Sequence, residues 1–280
     1  MIFGDFFFQK KWSIRSALFW AEKVLKNFQS SRLESEVLLA AVLEVDRVFL
    51  KKNVDDFLSV AQQKKFRKFI RRRAHGEPVA YILGEKNWAN LSLGVSPAGL
   101  IPRDETEVLA ETIWKSPRSF SPEKILDVGT GSGNLAIFLA KKFPDAFVTA
   151  LDFSPAALQI AKKNAERNSV CVNFLVSDFL QKIDDGDFFD LIVANLPYVP
   201  TKISISREVR REPKTAIFSG SDGLDHLRKF RSKLSRVQFR ELWLEFLPTQ
   251  VSEIKKIFAP SKIDFFPDAS GQIFFARITP

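Results

Sequence analysis

The segment that most constrains the fold is a short apolar strand that runs directly into a glycine-rich turn. The sequence from Ile125 to Val128 is followed by Gly129-Thr130-Gly131-Ser132-Gly133, and a helical pattern begins near Asn134. Glycines suit a turn that needs unusual dihedral angles and a backbone that approaches a ligand closely. The N-terminus of the following helix favours a negatively charged group, such as a carboxylate. We therefore predict that Gly129, Thr130, Gly131, Ser132 and Gly133 form a cofactor loop; a plain turn is the alternative.

Two carboxylates near this loop bear on the choice of cofactor. Asp152 ends the following strand, 19 residues after the last glycine of the loop, where an acid would meet ribose hydroxyls. Asp127 precedes the loop, and the glycine spacing departs from the Gly-x-Gly-x-x-Gly of dinucleotide-binding proteins. The first observation favours a nucleoside cofactor over a plain turn, and the second favours S-adenosylmethionine over a dinucleotide.

Two further side chains are predicted to contact the adenine of this cofactor. Phe153 directly follows Asp152 and would cover one face of the ring. Asp178 lies in the turn Ser177-Asp178-Phe179 after the third strand and would cap the edge of the ring. A core phenylalanine and a loop cap are the alternative interpretations.

The pattern around the loop predicts an α/β fold. Strand-like runs at residues 124–128, 147–151, 172–176, 191–194 and 241–246 are separated by helical segments. Such alternation is typical of a parallel sheet with right-handed crossovers. The sequence therefore predicts a Rossmann-like domain from residue 103 to the C-terminus at residue 280.

The first 75 residues are predicted to form a small helical domain. Apolar residues recur at helical spacing after Ser13, which is a plausible N-cap. Ser31 and Glu34 have the pattern of a capping box, and a later helix is expected from about residue 56 to Gly76. Residues 76–102 contain short β-like pieces punctuated by glycine and proline, which predicts a β-hairpin linker between the two domains.

The positive charge of the chain is concentrated in this helical segment. The net charge is +9, and residues 1–75 hold 16 Lys or Arg against 8 Asp or Glu, whereas residues 76–280 hold 26 against 25. In the last helix, Phe66, Phe69 and Ile70 are predicted to be buried, and a run of cations to cover the remaining surface. That run consists of Lys64, Lys65, Arg67, Lys68, Arg71, Arg72 and Arg73. It predicts either a docking surface for ribosomal RNA or an acidic protein, or an ordinary solvated helix face.

A candidate chemical centre follows the apolar run 191–194. Asn195-Leu196-Pro197-Tyr198 would lie at the carboxyl end of a central strand, where open α/β sheets bind ligands. The Asn195 side-chain carbonyl and the Leu196 backbone carbonyl could accept hydrogen bonds from a planar NH₂ group, while the Tyr198 ring packs on it. Such a site can hold a weakly nucleophilic nitrogen in line with a methyl donor. A strand exit shaped only by turn chemistry is the alternative.

Together these residues resemble the HemK or PrmC family of release factor glutamine methyltransferases. The resemblance is carried by Arg72-Arg73-Ala74-His75-Gly76-Glu77-Pro78-Val79-Ala80-Tyr81-Ile82-Leu83-Gly84, Ile101-Pro102-Arg103-Asp104-Glu105-Thr106-Glu107, Glu212-Pro213 and Gly220-Ser221-Asp222-Gly223-Leu224. It implies a helical domain that helps to dock the release factor, and methylation of the glutamine in its Gly-Gly-Gln motif. It also implies cofactor contacts from Gly129 to Gly133, Asp152, Phe179 and Asn195, and glutamine contacts from Asn195, Leu196, Pro197 and Tyr198.

Some positions depart from the pattern of that family. Leu196 and Asp104 each stand where the family usually has proline, and Asn87-Trp88-Ala89-Asn90 replaces a more typical Glu-Phe-x-Gly. Pro197 still favours an extended conformation at residue 196, so we expect activity to survive. Asn-Leu-Pro-Tyr also resembles the motif of ribosomal RNA adenine dimethyltransferases.

Two other functions remain as alternatives to a protein-glutamine methyltransferase. One is an adenine N6-methyltransferase acting on RNA or DNA, against which the nearly neutral charge of residues 76–280 argues. The other is a non-catalytic protein that binds RNA or the ribosome, which would not need an intact glycine loop or Asn195.

The composition of the chain limits the cellular locations and the metal sites that can be expected. Residues 1–8 are apolar apart from Gly4 and Asp5, but they lack the features of a signal peptide, and no apolar run is long enough to span a membrane. Cys171 is the only cysteine, and His75 and His226 are the only histidines, so no zinc site is expected. We expect a cytoplasmic monomer without a metal.

Overall fold

The computed structural model describes residues 11–280. The apolar stretch at residues 1–8, for which we expect no signal peptide, lies outside the described residues. The chain divides into two compact units, Met1–Leu83 and Gly84–Pro280. No helix in the described part of the chain combines the length and apolar character needed to cross a membrane.

Within the first unit, residues 11–83 form five helices around one apolar core. They are α1 (Ile14–Val24), α2 (Ser31–Leu43), α3 (Arg47–Lys52), α4 (Val60–Ala74) and α5 (Val79–Leu83). Helix α1 begins where the sequence predicts, because the Ser13 hydroxyl accepts a hydrogen bond from the Ser16 N–H at 3.3 Å. Apolar side chains of α1, α2 and α4, such as Ala17, Leu38 and Phe66, are fully buried against one another.

The predicted capping box at Ser31 and Glu34 is wrong. Helix α2 is preceded by Ser30, which makes no side-chain capping bond, and Ser31 is already its first residue. Glu34 instead accepts two hydrogen bonds from Arg73, each at 2.8 Å. Arg73 was expected on the exposed face of α4 but is fully buried. A buried guanidinium needs a paired carboxylate, and this need takes Glu34 away from the helix N-terminus.

Helix α4 begins four residues later than predicted. Its N-terminus is a capping box in which Ser59 and Gln62 bond to each other's backbone N–H groups at 2.8 and 3.2 Å. The helix ends before Gly76, whose φ of +85° suits glycine and agrees with the predicted stop. The segment that follows also differs from the prediction, because Val79–Leu83 is a short helix and not a β-like piece.

The second unit contains a seven-stranded mixed sheet and a separate two-stranded hairpin. Its strands are β1 (Glu85–Trp88), β2 (Leu91–Gly94), β3 (Lys124–Val128), β4 (Phe147–Asp152), β5 (Asn173–Val176), β6 (Phe188–Ala194), β7 (Gln238–Glu245), β8 (Lys262–Pro267) and β9 (Ile273–Thr279). The order in the large sheet is β5-β4-β3-β6-β7-β9-β8. Strands β3 to β7 pair in parallel, and β9 runs antiparallel to both β7 and β8. This confirms the predicted α/β fold class.

Five helices and two apolar layers cover the large sheet. The helices are α6 (Asp104–Lys115), α7 (Asn134–Lys142), α8 (Pro155–Arg167), α9 (Asp225–Lys233) and α10 (Val251–Ile257). Successive residues of a strand face opposite sides of a sheet. Ile125 accordingly packs in a core cluster with Phe138 of α7, and Leu126 in a second cluster with Phe230 of α9. Burial on both sides explains why the central strands are almost entirely apolar.

The hairpin β1–β2 turns at Ala89 and Asn90, which both have positive φ angles. Trp88 is buried, and its indole N–H donates to the Arg103 carbonyl at 2.8 Å. Asp104 is the first residue of α6, a position that accepts either proline or an acid, and it pairs with Lys86 at 2.8 Å. The departures from the family pattern at Trp88 and Asp104 therefore have local structural partners.

Candidate active site

The parallel strands end along one edge of the sheet, and the predicted site residues follow those ends. The glycine loop follows β3, and the Gly129 and Thr130 N–H groups donate to the Leu151 carbonyl at 2.8 and 2.9 Å. The Gly131 N–H donates to Asp152 Oδ2 at 2.8 Å. The loop is thus fastened to the end of β4 by its own backbone.

Asp127 is a buried carboxylate with one unsatisfied oxygen. Its Oδ2 accepts from the Thr130 hydroxyl at 2.6 Å and from the Ala136 N–H at 3.2 Å. Its Oδ1 is buried and has no hydrogen-bond partner. Burial raises the pKa of Asp127 from 3.8 to about 7, and the nearby charge of Asp152 adds to the increase. A buried acceptor without a partner is costly, so this oxygen is suited to a donor supplied by a ligand.

Asp152 ends β4, as the sequence predicts. Its Oδ1 accepts from the Ser154 N–H at 2.8 Å, while its Oδ2 accepts from Gly131. Burial raises the pKa of Asp152, and these backbone hydrogen bonds oppose the increase. An ionised carboxylate accepts about four hydrogen bonds, so acceptor capacity remains for ligand hydroxyls.

The residues predicted to surround adenine are placed in different environments. The Phe153 ring is 59% exposed at the end of β4. Asp178 is exposed and pairs with Lys233 at 2.9 Å, an interaction that the sequence did not indicate. Phe179 has a φ of +51° and stacks on Phe230 with ring centroids 6.3 Å apart. Its carbonyl accepts from the Ser177 hydroxyl at 2.6 Å, so the backbone of this turn is fixed.

The segment Asn195–Tyr198 lies beside the glycine loop. Leu196 is buried, and a methyl group added at Gly129 would lie 3.1 Å from Leu196 Cδ2. The Asn195 side-chain NH₂ donates to the Thr106 hydroxyl at 2.9 Å. The Tyr198 hydroxyl donates to Glu245 Oε1 at 2.8 Å, and its carbonyl accepts from Gln250 Nε2 at 2.9 Å. Each end of the segment is therefore held by a side chain from another element.

Thr106 and Glu245 were not identified as site residues from the sequence. Glu245 is the last residue of β7 and is buried, and its Oε2 accepts from the Thr106 hydroxyl at 2.8 Å. Burial raises the pKa of Glu245 from 4.5 to about 7. Burial and the proximity of Glu245 raise the pKa of Tyr198. An acid within a predicted parallel strand, near its carboxyl end, was the signal that could have indicated Glu245.

The acceptors at this edge of the sheet suit a ligand that carries both an ammonium and hydroxyl groups. A methyl group added at Gly131 would meet nothing within 4 Å, so the loop has open space beside it. Asp127 offers an unpaired acceptor, and Asp152 offers acceptor capacity for hydroxyls. The amino-acid and ribose parts of S-adenosylmethionine carry these groups. Among the described residues, no group of three or more His, Cys, Asp or Glu side chains is arranged to hold a metal.

Comparisons with known proteins match both units of the chain to described families. A family model described as the PrmC N-terminal domain matches residues 16–84, and one described as a methyltransferase domain matches residues 125–214. The catalytic domain of hMettl16, solved in complex with MAT2A 3'UTR hairpin 1, has a TM-score of 0.53 at 13% identity. The match covers 88% of this chain and 91% of that chain. At this identity the likeness shows the fold alone.

Several relatives named release factor glutamine methyltransferase match over most of the chain. That of Koribacter versatilis is 45% identical over 71% of this chain and 72% of its own length. That of Geobacter sulfurreducens is 40% identical over 78% and 77%, and that of Buchnera aphidicola 36% identical over 89% and 91%. With identities this high over more than two thirds of each protein, the chain belongs to the release factor glutamine methyltransferase family.

Proposed function

We propose that this protein transfers the methyl group of S-adenosylmethionine to the side-chain amide nitrogen of the glutamine in the Gly-Gly-Gln motif of a peptide chain release factor. The observation that carries the proposal is the segment Asn195–Tyr198, which lies against the glycine loop. In this segment the Asn195 side-chain nitrogen, and not its oxygen, bonds to Thr106. The names of the relatives support the choice of substrate.

The cofactor would be held at the ends of β3, β4 and β5. Bound there, it supplies an electrophilic methyl group on a sulfonium sulfur. The unpaired Asp127 oxygen would accept from its ammonium group, and Asp152 from its ribose hydroxyls. The backbone of Gly129 to Gly133 would line its amino-acid end, and Thr130 and Ser132 are buried residues of that loop. Phe153, Asp178 and Phe179 would border the adenine, and Asn195 would contact the cofactor from the end of β6.

The substrate amide would be positioned by the segment after β6. The Asn195 Oδ1 and the Leu196 carbonyl accept hydrogen bonds from the NH₂ group, and the Tyr198 ring packs on its plane beside Pro197. Accepting these hydrogens stabilises the positive charge that develops on nitrogen as it gains a methyl group. The amide that has gained a methyl group is a strongly acidic cation, so it would give one N–H proton to water, and no strongly basic residue is required. Orientation and charge stabilisation are the main catalytic contributions of the protein.

The remaining parts of the chain would serve docking. The helical unit that ends at Leu83 would be the release factor docking domain, residues 84–102 would contain the hairpin linker, and residues 103–280 would be the methyltransferase domain. Lys64, Lys65, Lys68 and Arg71 of α4 are exposed, which supports a partner with an acidic surface. We propose that the protein acts as a monomer in the cytoplasm, where release factors work.

Radiolabelled S-adenosylmethionine tests the proposal directly. The purified protein is offered a release factor, a variant of that factor with Gly-Gly-Ala in place of Gly-Gly-Gln, and ribosomal RNA. Label on the unmodified factor alone is the expected result. Label on RNA alone would replace the proposal with an adenine methyltransferase, and label on neither would favour a non-catalytic binding protein.

A further inference from the structure

We infer that Glu245 and Thr106 are positioning residues that fix which way the Asn195 side-chain amide points, so that its oxygen and not its nitrogen faces the substrate. The inference rests on the proposed function, because it concerns how the amide of the substrate is received. Glu245 and Thr106 would not contact the substrate themselves. They would act through Asn195 and Tyr198, which are proposed to contact it.

Three hydrogen bonds connect Asn195, Thr106, Tyr198 and Glu245, and in each of them the donor lies on the side away from Glu245. Asn195 Nδ2 donates to the Thr106 hydroxyl at 2.9 Å, and that hydroxyl donates to Glu245 Oε2 at 2.8 Å. On the other side, the Tyr198 hydroxyl donates to Glu245 Oε1 at 2.8 Å. One carboxylate therefore holds both ends of the segment that would receive the substrate.

The chemistry of the carboxylate sets this direction. An ionised carboxylate accepts hydrogen bonds and donates none. Thr106 has a single hydroxyl hydrogen, which it donates in the hydrogen bond to Glu245. The Thr106 oxygen can therefore only accept a hydrogen bond from Asn195. The amide of Asn195 must then turn its NH₂ towards Thr106, which leaves Oδ1 for the substrate. An NH₂ in that place would oppose the NH₂ of a glutamine, since both are donors.

Protonation of Glu245 would remove this constraint. With a hydrogen on Oε2, Glu245 could donate to Thr106, and Thr106 could then donate to Asn195. The amide would be free to flip and present its nitrogen. With the hydrogen on Oε1, the Tyr198 hydroxyl would have to turn its own hydrogen away. Either change disturbs the receiving groups.

Glu245 lies where its protonation is sensitive to pH near neutrality. Burial raises its pKa to about 7, while hydrogen bonding with Thr106, Tyr198 and the Asn195 amide opposes the increase. The ionised carboxylate therefore also attracts the Asn195 NH₂ group and not its oxygen. Glu105 on α6 adds a further increase, and Arg103 acts on Tyr198 in the opposite direction. The neighbouring strand β9 places the apolar Phe275 opposite Glu245. The titratable and charged groups around Glu245 are thus one acid, Glu105, one phenol, Tyr198, and one cation, Arg103.

The first test measures methyl transfer to a release factor at several pH values. In the wild type, kcat should fall as pH decreases below about 7, because Glu245 then gains its proton. Glu245→Gln should reduce kcat at pH 8 by roughly 10²-fold and flatten that part of the pH profile, because a glutamine donates through its NH₂. Thr106→Val should cause a similar loss, whereas Thr106→Ser should restore most of the rate. The Kd of S-adenosylmethionine should change little in all three.

Two matched controls separate positioning from general damage to helix α6. Glu111→Gln removes a charge from a surface pair with Lys115, and Thr112→Val removes a hydroxyl that bonds only within the helix. Both should keep the wild-type kcat and pH profile. Wild-type kcat and an unchanged pH profile in Glu245→Gln and Thr106→Val would overturn the inference while leaving the proposed function in place.

A second readout needs no substrate. The side-chain NH₂ resonances of Asn195, assigned by their loss in Asn195→Asp, should shift with pH around 7 in the wild type. The shift should be absent in Glu245→Gln and the resonances displaced in Thr106→Val. Resonances that do not respond to pH or to either variant would overturn the inference. If they respond as expected but no release factor is methylated, the inference about Asn195 stands and the proposed function fails.

Discussion

At the scale of single residues, the proposed chemistry depends most directly on Asn195. We expect Asn195→Ala to reduce kcat by roughly 10²-fold or more, because a positioned acceptor for the substrate amide is lost. The Kd of S-adenosylmethionine, measured by calorimetry, should change much less. Asn173→Ala removes an exposed amide from β5 and serves as the matched control. Near-normal turnover in Asn195→Ala would exclude the proposed role of Asn195.

The raised pKa of Asp127 predicts that the free energy of unfolding depends on pH. Its pKa is raised from 3.8 when unfolded to about 7 when folded, so the folded state binds its proton more tightly. The stabilisation is complete below pH 3.8 and is lost as pH rises through about 7. Asp127→Asn removes this dependence, so its free energy of unfolding relative to that of the wild type should increase as pH rises from 3.8 to about 7 and stay level above that.

Denaturant unfolding of both proteins at several pH values measures this difference. Glu245 has a raised pKa of the same sign, but it is present in both proteins and cancels in the comparison. The same variant should weaken cofactor binding by about tenfold or more, because the acceptor for the ammonium loses its charge. A constant difference in stability across the pH range would show that Asp127 does not titrate as described.

At the scale of elements, the glycine loop has two positions that should respond differently to alanine. Gly133 has a φ of +85°, and an added methyl group would lie 3.0 Å from Ala161 Cβ. Gly133→Ala should therefore destabilise the fold by about 2 kcal/mol or more. Gly131 has a φ of +55° and open space around it, so Gly131→Ala should cost only about 1 kcal/mol.

The two variants separate folding from ligand binding. Gly131→Ala places its methyl group in the open space where the cofactor is proposed to lie, so we expect weaker cofactor binding with a small change in Tm. Gly133→Ala should lower Tm more, with a smaller direct effect on affinity. Thermal unfolding and calorimetry measure the two quantities. A reversed order of the two variants in Tm would contradict the packing described for this loop.

The elements also show how far a sequence can be interpreted without a structure. All five predicted strand regions are strands. In β3, β4, β6 and β7, burial on both faces of the sheet leaves continuous apolar runs, whereas β5 is a partly exposed edge strand. The two antiparallel strands β8 and β9 were not predicted. In β8 and β9 the apolar residues are broken by charged or polar ones such as Asp264 and Arg277, which pair across the strands at 2.8 Å. Such a pair is visible only once the register is known.

The candidate site was predictable only where a single segment carried its pattern. The glycine loop and Asn195–Tyr198 each follow a recognisable strand, so both were identified. Thr106 and Glu245 are 139 residues apart and meet only because α6 packs beside the end of β7. The predicted capping box at Ser31 and Glu34 was wrong for the opposite reason. Glu34 forms an ion pair with Arg73, 39 residues away, and this distant contact overrides the local capping pattern.

For the whole molecule, the main electrostatic feature is the excess of positive charge in residues 1–75. Part of the N-terminal excess has a structural use, because Arg73 pairs with Glu34 and Arg72 with Glu77. Lys64, Lys65, Lys68 and Arg71 of α4 are exposed. An exposed cluster of one sign raises the association rate of an oppositely charged partner, and salt screens it. The cluster is therefore available for docking an acidic surface.

Charge reversal of α4 tests this role. Lys64 and Lys68 lie one turn apart, and Lys64→Glu with Lys68→Glu replaces two positive charges by two negative ones. We expect kcat/KM for the release factor to fall roughly tenfold at low salt, with kcat unchanged, and the difference to shrink as salt is raised. Lys141→Glu with Lys162→Glu makes the same change of charge on exposed positions of α7 and α8. Because net charge alone would affect both double variants equally, an equal loss in the two would assign the effect to the total charge and not to α4.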